Sequence, residues 1–457
     1  MKFRRGFTAI VAASIALSAG SVSAITLNEA LVLAYQNNPS IQAARAGVKT
    51  QDETYAQAVS ALRPSVAVSG SYTSSAALDN LGTTLNNLQA ALSASLTIYD
   101  GGKSRDAINS TENQILAGRE NLRAAEQNLL LNATIAYHDV IRGQQVVQSG
   151  QNSVRVLEQQ LQAANDRFEV GATTRTDVSL TEARVAAAKS ALAANRGALV
   201  AAQEAFRAIV GVAPVSLSTP AALPNLPRTQ GEAESIAMRE HPTLKAARYL
   251  ETASEIDLSR ARKVRVPTVA LNGSLSYSDD NYSDALAGVG IGVSAQMPLY
   301  QGGALSSIIR QSATLMERRK AETQNAMAGV RQQVAQAWSN LQVANLSISA
   351  YQAQVRAAQA AYDGVSQETR LGARTILDLL DAEQELLNAK TGLSGGQRDV
   401  RIAGYALLAA MGLLNVETLK LGIPAYDPAI NFNKVKSAPV TFSGAKVMDK
   451  IADRWGE

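Results

Sequence analysis

Four short segments of the chain alternate apolar and small polar residues with a period of two. In the stretch SVAVSGSY, Val66 and Val68 alternate with Ala67 and Ser69. Alternation over roughly ten residues, with one small polar face, is typical of transmembrane β-barrel strands. A soluble antiparallel sheet with one solvent-facing side is the alternative that the pattern leaves open. The predicted strands are 65–72, 90–98, 269–277 and 289–297.

In two long stretches, apolar residues recur every seven positions. Val140, Val147 and Val154 follow this spacing in the first stretch, and Val334 and Leu341 follow it in the second. A strict seven-residue repeat favours a left-handed coiled coil, although ordinary core packing also produces apolar heptads. At 1.5 Å per residue, each long helix would span on the order of 100 Å. Shorter helices are predicted at about 27–61 and 231–263, and return helices at about 177–212 and 376–412.

The two halves of the chain repeat one another. Tyr99 matches Tyr300 and Gly171 matches Gly372, both at an offset of 201 positions. Each half is therefore predicted to contain a helix, two barrel strands, a long helix and a return helix. The predicted organisation is a signal peptide at 1–24, a first repeat at 25–213, a Pro-rich linker at 214–230, a second repeat at 231–420 and a tail at 421–457.

The first 24 residues are predicted to be a secretory signal peptide. Lys2, Arg4 and Arg5 precede an apolar run that is too short for a transmembrane helix, and small residues suited to cleavage end at Ala24. Cleavage would remove three positive charges from a net charge of +4, so no nucleic-acid partner is predicted. The absence of cysteine suits a secreted protein that is stabilised by assembly rather than by disulfides.

The strands predict a pore that is shared between copies of the chain. Four strands cannot close into a barrel, and open sheet edges are not tolerated in lipid. Two copies would give eight strands around a lumen filled by side chains, whereas three would give twelve strands around water. A bundle of helices about 100 Å long, attached to such a barrel, could cross a periplasm.

A Gly-Gly pair follows a predicted strand in each half, and the first pair precedes Lys-Ser as in a phosphate-binding loop. That loop would need a glycine at the position of Thr97, and the second pair has no lysine after it. Glycine accepts backbone torsions that other residues avoid, so both pairs are predicted to be barrel-to-helix hinges. The hinge residues are Gly101, Gly102, Gly302 and Gly303. The predicted membrane-interface aromatics beside them are Tyr99 and Tyr300.

Few residues are candidates for catalysis. His138 and His241 are the only histidines, neither has a partner at metal-ligand spacing, and no Gly-x-Ser-x-Gly motif is present. The sequence therefore predicts no enzyme, metal or cofactor. The alternative to a shared pore is a periplasmic adaptor or a structural coiled-coil protein of the envelope. An adaptor would be expected to carry one hairpin and a membrane anchor, whereas this chain has two hairpins and four barrel-type strands.

Four motifs accompany the duplication: TLNEALVLAYQNNPSI, RFEVGATTRTDV, MPLYQGG and RLGARTILDLLDAEQELLNAK. Through the duplication and these motifs, the chain resembles the TolC family of outer-membrane channel-tunnels over about residues 25–420. This resemblance implies an α+β membrane protein, a homotrimer whose twelve-stranded barrel in the outer membrane of a Gram-negative bacterium continues into a twelve-helix barrel in the periplasm. The resemblance implies that the tail either wraps the equatorial region of the protein or is disordered.

The function that the resemblance implies is an exit duct for drugs, detergents, bile salts or secreted proteins. Such a duct belongs to a tripartite efflux pump, a type I secretion system or both. The implied partners are a periplasmic adaptor, an inner-membrane RND or ABC transporter, and outer-membrane lipid.

Two turns follow the long helices and are predicted to form the tip of the helical barrel. Gly171 and Gly372 suit the left-handed position after a helix, and Thr176 and Thr375 are predicted to cap the next helices. The resemblance implies that these turns also seat the adaptor. The implied docking residues are Gly171, Ala172, Thr173, Gly372 and Ala373.

Asp378 and Asp381 are three residues apart and would share one helix face, for which surface solvation is the simpler account. The resemblance implies instead a pore constriction, where repulsion within a ring of carboxylates would raise their pKa values and favour cations. It also implies a gate latch in which Arg374 binds Asp177 on the neighbouring hairpin, with Thr176 as a second candidate partner.

Overall fold

The computed structural model describes residues 24–76, 84–218, 223–280 and 284–436. Residues 1–23 of the predicted signal peptide and residues 437–457 of the predicted tail lie outside the described residues. None of the helices within these ranges combines the length and the apolar composition that a bilayer crossing requires.

The elements of the two halves follow one another in the same order. The first half contains α1 (Leu27–Asn37), α2 (Pro39–Ser60), β1 (Ser65–Ala76), β2 (Thr84–Tyr99), α3 (Lys103–Glu169) and α4 (Arg175–Val210). The second half contains α5 (Gln230–Glu240), α6 (Pro242–Arg262) with a 3₁₀ turn at Lys263–Arg265, β3 (Thr268–Asp280), β4 (Leu286–Gln296), α7 (Ala304–Arg370) and α8 (Ile376–Ala410). A short helix, α9 (Ala429–Lys436), follows.

The first helix of each half is broken in two, so the prediction of one continuous helix there was wrong. The break lies before Pro39 in the first half and before Pro242 in the second. The residues ahead of them, Asn38 and His241, have extended ψ angles of 125° and 122°. Proline clashes with a helical residue before it, so each chain must leave the helix and start again.

The four strands form one antiparallel sheet in the order β1-β2-β3-β4. Its register places apolar residues in rows, one of which runs through Val68, Leu92, Leu275 and Val289. Val68 and Val289 are each 81% exposed in the protomer. On the opposite face, the Asn272 amide nitrogen donates to Ser294 Oγ at 2.8 Å. The predicted alternation is confirmed, and the face that carries these rows is mostly apolar and exposed.

The long helices form two coiled hairpins, α3 with α4 and α7 with α8. Each long helix has 67 residues, which corresponds to about 100 Å. The predicted heptad positions near the middle of the long helices lie inside the packing, where Val140 and Val334 are fully buried. The predicted fold class, α+β with a duplicated pair of long helical hairpins and a small sheet, is confirmed.

The main hydrophobic core lies where the short helices pack against the middle of α3 and α7. Tyr137 and Phe206 are fully buried there, with ring centroids 6.3 Å apart. The Tyr137 hydroxyl donates to the Ser218 carbonyl at 2.7 Å, so the chain after α4 is held on this core.

The described part of the tail packs against α2 through α9. Asp52 is fully buried and accepts a hydrogen bond of 2.8 Å from the Asn431 amide nitrogen. The Phe432 ring lies 5.1 Å from that of Tyr55 and 4.9 Å from the Arg119 guanidinium carbon. This part of the tail is therefore ordered beside the main core, while 437–457 lie outside the described residues.

Candidate functional site

Both long hairpins end in the same backbone turn. Gly171 and Gly372 have φ angles of +73° and +78°, which side chains rarely adopt. The next amide, that of Ala172 or Ala373, donates to the carbonyl five residues earlier at 2.8 Å and 2.9 Å. These bonds close the left-handed helix ending that glycine permits.

Each tip turn presents a large apolar side chain to solvent. Val170 is 77% exposed and Leu371 is 85% exposed. They are related by the same offset of 201 positions, which could have identified them from the sequence. The glycines and alanines of the predicted docking set are also exposed, and Thr173 is half-buried. The tips therefore present two similar, partly apolar surfaces.

A capping box starts each return helix. The Thr174 hydroxyl accepts from the Asp177 amide at 3.2 Å, and the Thr375 hydroxyl accepts from the Asp378 amide at 3.2 Å. Each carboxylate in turn accepts from the threonine's own backbone amide. The cap predicted at Thr375 is confirmed, but that at Thr176 was wrong, because α4 already begins at Arg175.

The capping bonds lower the pKa values of the two aspartates in the protomer. The hydroxyls of Thr174 and then Thr173 donate to Asp177 and lower its pKa. The Thr375 hydroxyl and then its amide lower the pKa of Asp378 in the same way. Within one protomer the shift of Asp378 is thus opposite to the rise expected from a ring of carboxylates.

The protomer does not form the predicted latch between Arg374 and Asp177. Arg374 Nε donates to Glu368 Oε2 at 3.1 Å, on the same hairpin, while Asp177 is bound by its own turn. Thr176 is exposed. The latch stays a prediction.

Asp381 lies at the contact between the two return helices, unlike Asp378, which lies in the cap. Arg184 Nη2, on α4, donates to Asp381 Oδ1, on α8, at 2.8 Å. Sequence reasoning did not predict this pairing, because the partners are 197 positions apart and Arg184 belongs to no quoted motif.

A second carboxylate near Asp381 is buried. Glu383 is only 9% exposed, and burial raises its pKa above the ordinary value, although a hydrogen bond to Ser153 opposes that shift. The heptad spacing of α8 places Glu383 seven residues after Ile376, on the packed face. That spacing is the signal that could have separated it from the solvent-facing Asp381.

The four predicted hinge glycines lie between a strand and a long helix, and all have positive φ. The angles are +69° at Gly101, +83° at Gly102, +56° at Gly302 and +90° at Gly303. In the first bend the Asp100 carboxylate accepts from the Gly102 amide at 2.8 Å. These are the torsions that a sharp turn from sheet to helix requires.

The two bends differ in crowding. A Cβ on Gly101 would overlap the side chain of Val266, whereas one on Gly302 would meet nothing within 4 Å. Beside the first bend, Lys263 forms an ion pair with Asp106 at 2.6 Å. The first bend is therefore packed against the chain that leads into β3, and the second is open.

Both predicted interface tyrosines are exposed. Tyr99 is the last residue of β2 and is 52% exposed. Tyr300 is 84% exposed and lies four residues beyond the end of β4. Each stands at the end of the sheet from which a long helix departs, where an aromatic belt would lie.

Comparison with known proteins places these features in a family. The profile described as "Outer membrane efflux protein" matches residues 30–212 and 235–413, one match in each half. This chain belongs to the outer membrane efflux protein family. Its members are outer-membrane proteins of Gram-negative bacteria that extend into the periplasm, which is where this chain belongs. The resemblance to the TolC family is confirmed.

Named relatives cover most of the chain. The outer membrane efflux protein BepC of Brucella suis is 34% identical over 416 residues, which are 90% of each chain. TolC of Escherichia coli is 26% identical and covers 96% of this chain and 93% of its own. The alkaline protease secretion protein AprF of Pseudomonas aeruginosa is 26% identical over 67% of this chain and 66% of its own.

A solved channel shares the fold. The open state of the MtrE outer membrane channel of Neisseria gonorrhoeae superposes with a TM-score of 0.70 at 19% identity, covering 85% of this chain and 89% of that one. The family is one of channel-forming efflux proteins and not of enzymes.

Proposed function

We propose that this chain, as a homotrimer, forms the exit duct of a tripartite efflux pump, a type I secretion system or both. The sheet carries the proposal. Among the described residues, β1 and β4 each pair on one side only, and the apolar face of the sheet is exposed. Joining β4 of one protomer to β1 of the next would satisfy both edges and turn the apolar face toward lipid. Three protomers would give twelve strands around water.

The partners and cargo of the duct follow from the tips and the relatives. The exposed tip turns, with Val170 and Leu371, would seat a periplasmic adaptor that recruits an inner-membrane RND or ABC transporter. BepC is named for efflux and AprF for protease secretion. Drugs, detergents, bile salts and proteins are the proposed cargo, and the duct carries them without catalysis.

The gate of the duct would lie at the tip. Release of Arg374 from Glu368 would free it to bind Asp177 of an adjacent protomer, which closes the tip. Asp378 and Asp381 would line the constriction just inside. Carboxylates in that position would favour cations.

Conductance in a planar bilayer tests the proposal. Purified wild-type protein is expected to give a small cation-selective conductance. The double variant Asp378→Asn/Asp381→Asn should lose that selectivity while still conducting. If inserted protein of either form never conducts, the duct proposal is wrong, and a periplasmic adaptor or a structural coiled-coil role replaces it.

A further inference from the structure

We infer that Arg184 is a positioning residue for the pore constriction: it holds Asp381 against α4 and neutralises it, so that Asp378 alone sets the resting selectivity. This inference rests on the proposed function. It gives a role to a side chain that belongs to none of the predicted sites.

Arg184 and Asp381 are in direct hydrogen-bond contact. Arg184 Nη2 lies 2.8 Å from Asp381 Oδ1, and the side chains are 38% and 59% exposed. The neighbouring contacts between α4 and α8 are apolar, with Leu380 and Val185 buried together in one cluster. The ion pair therefore lies at the solvent-facing edge of the apolar contact between α4 and α8. That contact fixes the distance between the two helices and so places Arg184 within hydrogen-bond range of Asp381.

The internal duplication separates the pair from the scaffold. At the offset of 201 positions, Asp381 corresponds to Leu180 and Arg184 corresponds to Glu385. Asp378, by contrast, corresponds to Asp177, and both serve as capping residues. The cap is thus common to both halves. The positions that correspond to Asp381 and Arg184 carry Leu180 and Glu385, so the ion pair has no counterpart there. The pair joins the two hairpins and lies within neither of them.

Pairing changes the charge of the constriction. A guanidinium at hydrogen-bond distance cancels most of the field of the carboxylate that it binds. Half of the aspartates in a symmetric ring would then contribute little to cation selectivity. An ion pair this exposed is weak and is screened by salt, so Asp381 can be released without unfolding the hairpin.

Reversal potentials in a KCl gradient test the inference, measured on the purified full-length protein in planar bilayers. Arg184→Gln is expected to raise the ratio of potassium to chloride permeability at least twofold. In the Asp381→Asn background the same substitution should have no effect, and Arg184→Lys should restore most of the wild-type ratio. Lys189→Gln is the matched control. It removes a bridge of 2.7 Å from α4 to Glu158, and it should leave selectivity unchanged.

The outcomes separate this inference from the proposed function. If wild-type protein conducts with cation preference but Arg184→Gln matches it, or acts equally with and without Asp381, the role of Arg184 is refuted and the duct stands. Equal effects of Arg184→Gln and Lys189→Gln would also refute it, because they would show a general effect of bridges on the hairpin. If wild-type protein never conducts, both proposals fail together.

Discussion

Single side chains determine how each return helix begins at the tip. Thr174→Ala removes the hydroxyl that accepts from the Asp177 amide, and loss of such a cap typically costs about 1 kcal/mol. Amides in the first turn of α4 should therefore exchange with solvent deuterium roughly fivefold faster. Peptide-resolved hydrogen exchange on the purified protein measures this effect. Thr176→Ala is the matched control and should leave the exchange rate nearly unchanged; equal acceleration by both variants would contradict the assignment of the cap.

The stability of the folded protein is predicted to depend on pH through His138. This residue is 4% exposed, and burial, reinforced by Arg401 and Arg398, lowers its pKa from 6.5 to about 4. The unfolded chain therefore takes up the proton first as pH falls, so stability is full above about pH 6.5 and declines toward pH 4. At pH 5 the loss from this residue would be about 2 kcal/mol.

His138→Phe tests this dependence, because it keeps a ring in the site and cannot be protonated. Thermal unfolding of the detergent-solubilised protein at pH 7 and pH 5 gives the comparison. The drop in the unfolding midpoint between the two pH values should be smaller in the variant than in the wild type. An identical drop would show that other groups account for the acid sensitivity.

At the residue scale, the sequence predicted the short-range contacts better than the long-range ones. The offset of 201 from Thr375 leads to Thr174, so the correct cap was readable from the duplication. The Arg184–Asp381 pair joins residues 197 positions apart, and no local pattern marks it. Arg374 binds Glu368 on its own hairpin, whereas Asp177 accepts hydrogen bonds from its own turn, and neither arrangement is marked by a local pattern.

Among the elements, the two Gly-Gly bends offer a comparison within one chain. Gly101→Ala places a methyl group against Val266, and both Gly101→Ala and Gly302→Ala force a side chain into positive φ. Gly302→Ala is expected to cost about 1 kcal/mol from the backbone alone. Gly101→Ala should cost clearly more because of the added overlap.

Thermal unfolding of the detergent-solubilised protein ranks the two bends. The midpoint should fall further for Gly101→Ala than for Gly302→Ala. Adding Val266→Ala to Gly101→Ala should recover part of the difference, since it removes the atoms in the way. If the two single variants have the same unfolding midpoint, the first bend is not held as tightly as its packing indicates.

Element boundaries were predictable where one residue type enforces them. The ends of the long helices follow from Gly171 and Gly372, and the period of the strands follows from their alternation. The breaks before Pro39 and Pro242 were missed because the apolar periodicity continues across them, although proline alone predicts them. The order of the sheet, with β2 beside β3, joins the two halves and could not be read from either half.

At the scale of the whole molecule, the number of chains in the assembly depends on how the sheet of one chain pairs with that of the next. The duplication and the exposed apolar rows make a shared barrel the natural solution. The structure leaves β1 and β4 as the edges where copies would meet. Which faces meet lipid and which meet water follows from the alternation, and this assignment can be tested one residue at a time.

Ile291 and Gly292 are neighbours on β4 that point to opposite faces of the sheet. Ile291 is 83% exposed and belongs to the apolar rows, and a Cβ on Gly292 would meet nothing within 4 Å. Arginine on the lipid face of a barrel strand costs about 2–4 kcal/mol near the middle of the bilayer, whereas a lumen-facing position tolerates it. Ile291→Arg should therefore abolish the proposed trimer in outer-membrane fractions, detected by electrophoresis of unheated samples. Gly292→Arg should still assemble and should reduce the cation preference of the pore; assembly of both variants alike would mean that the apolar face does not meet lipid.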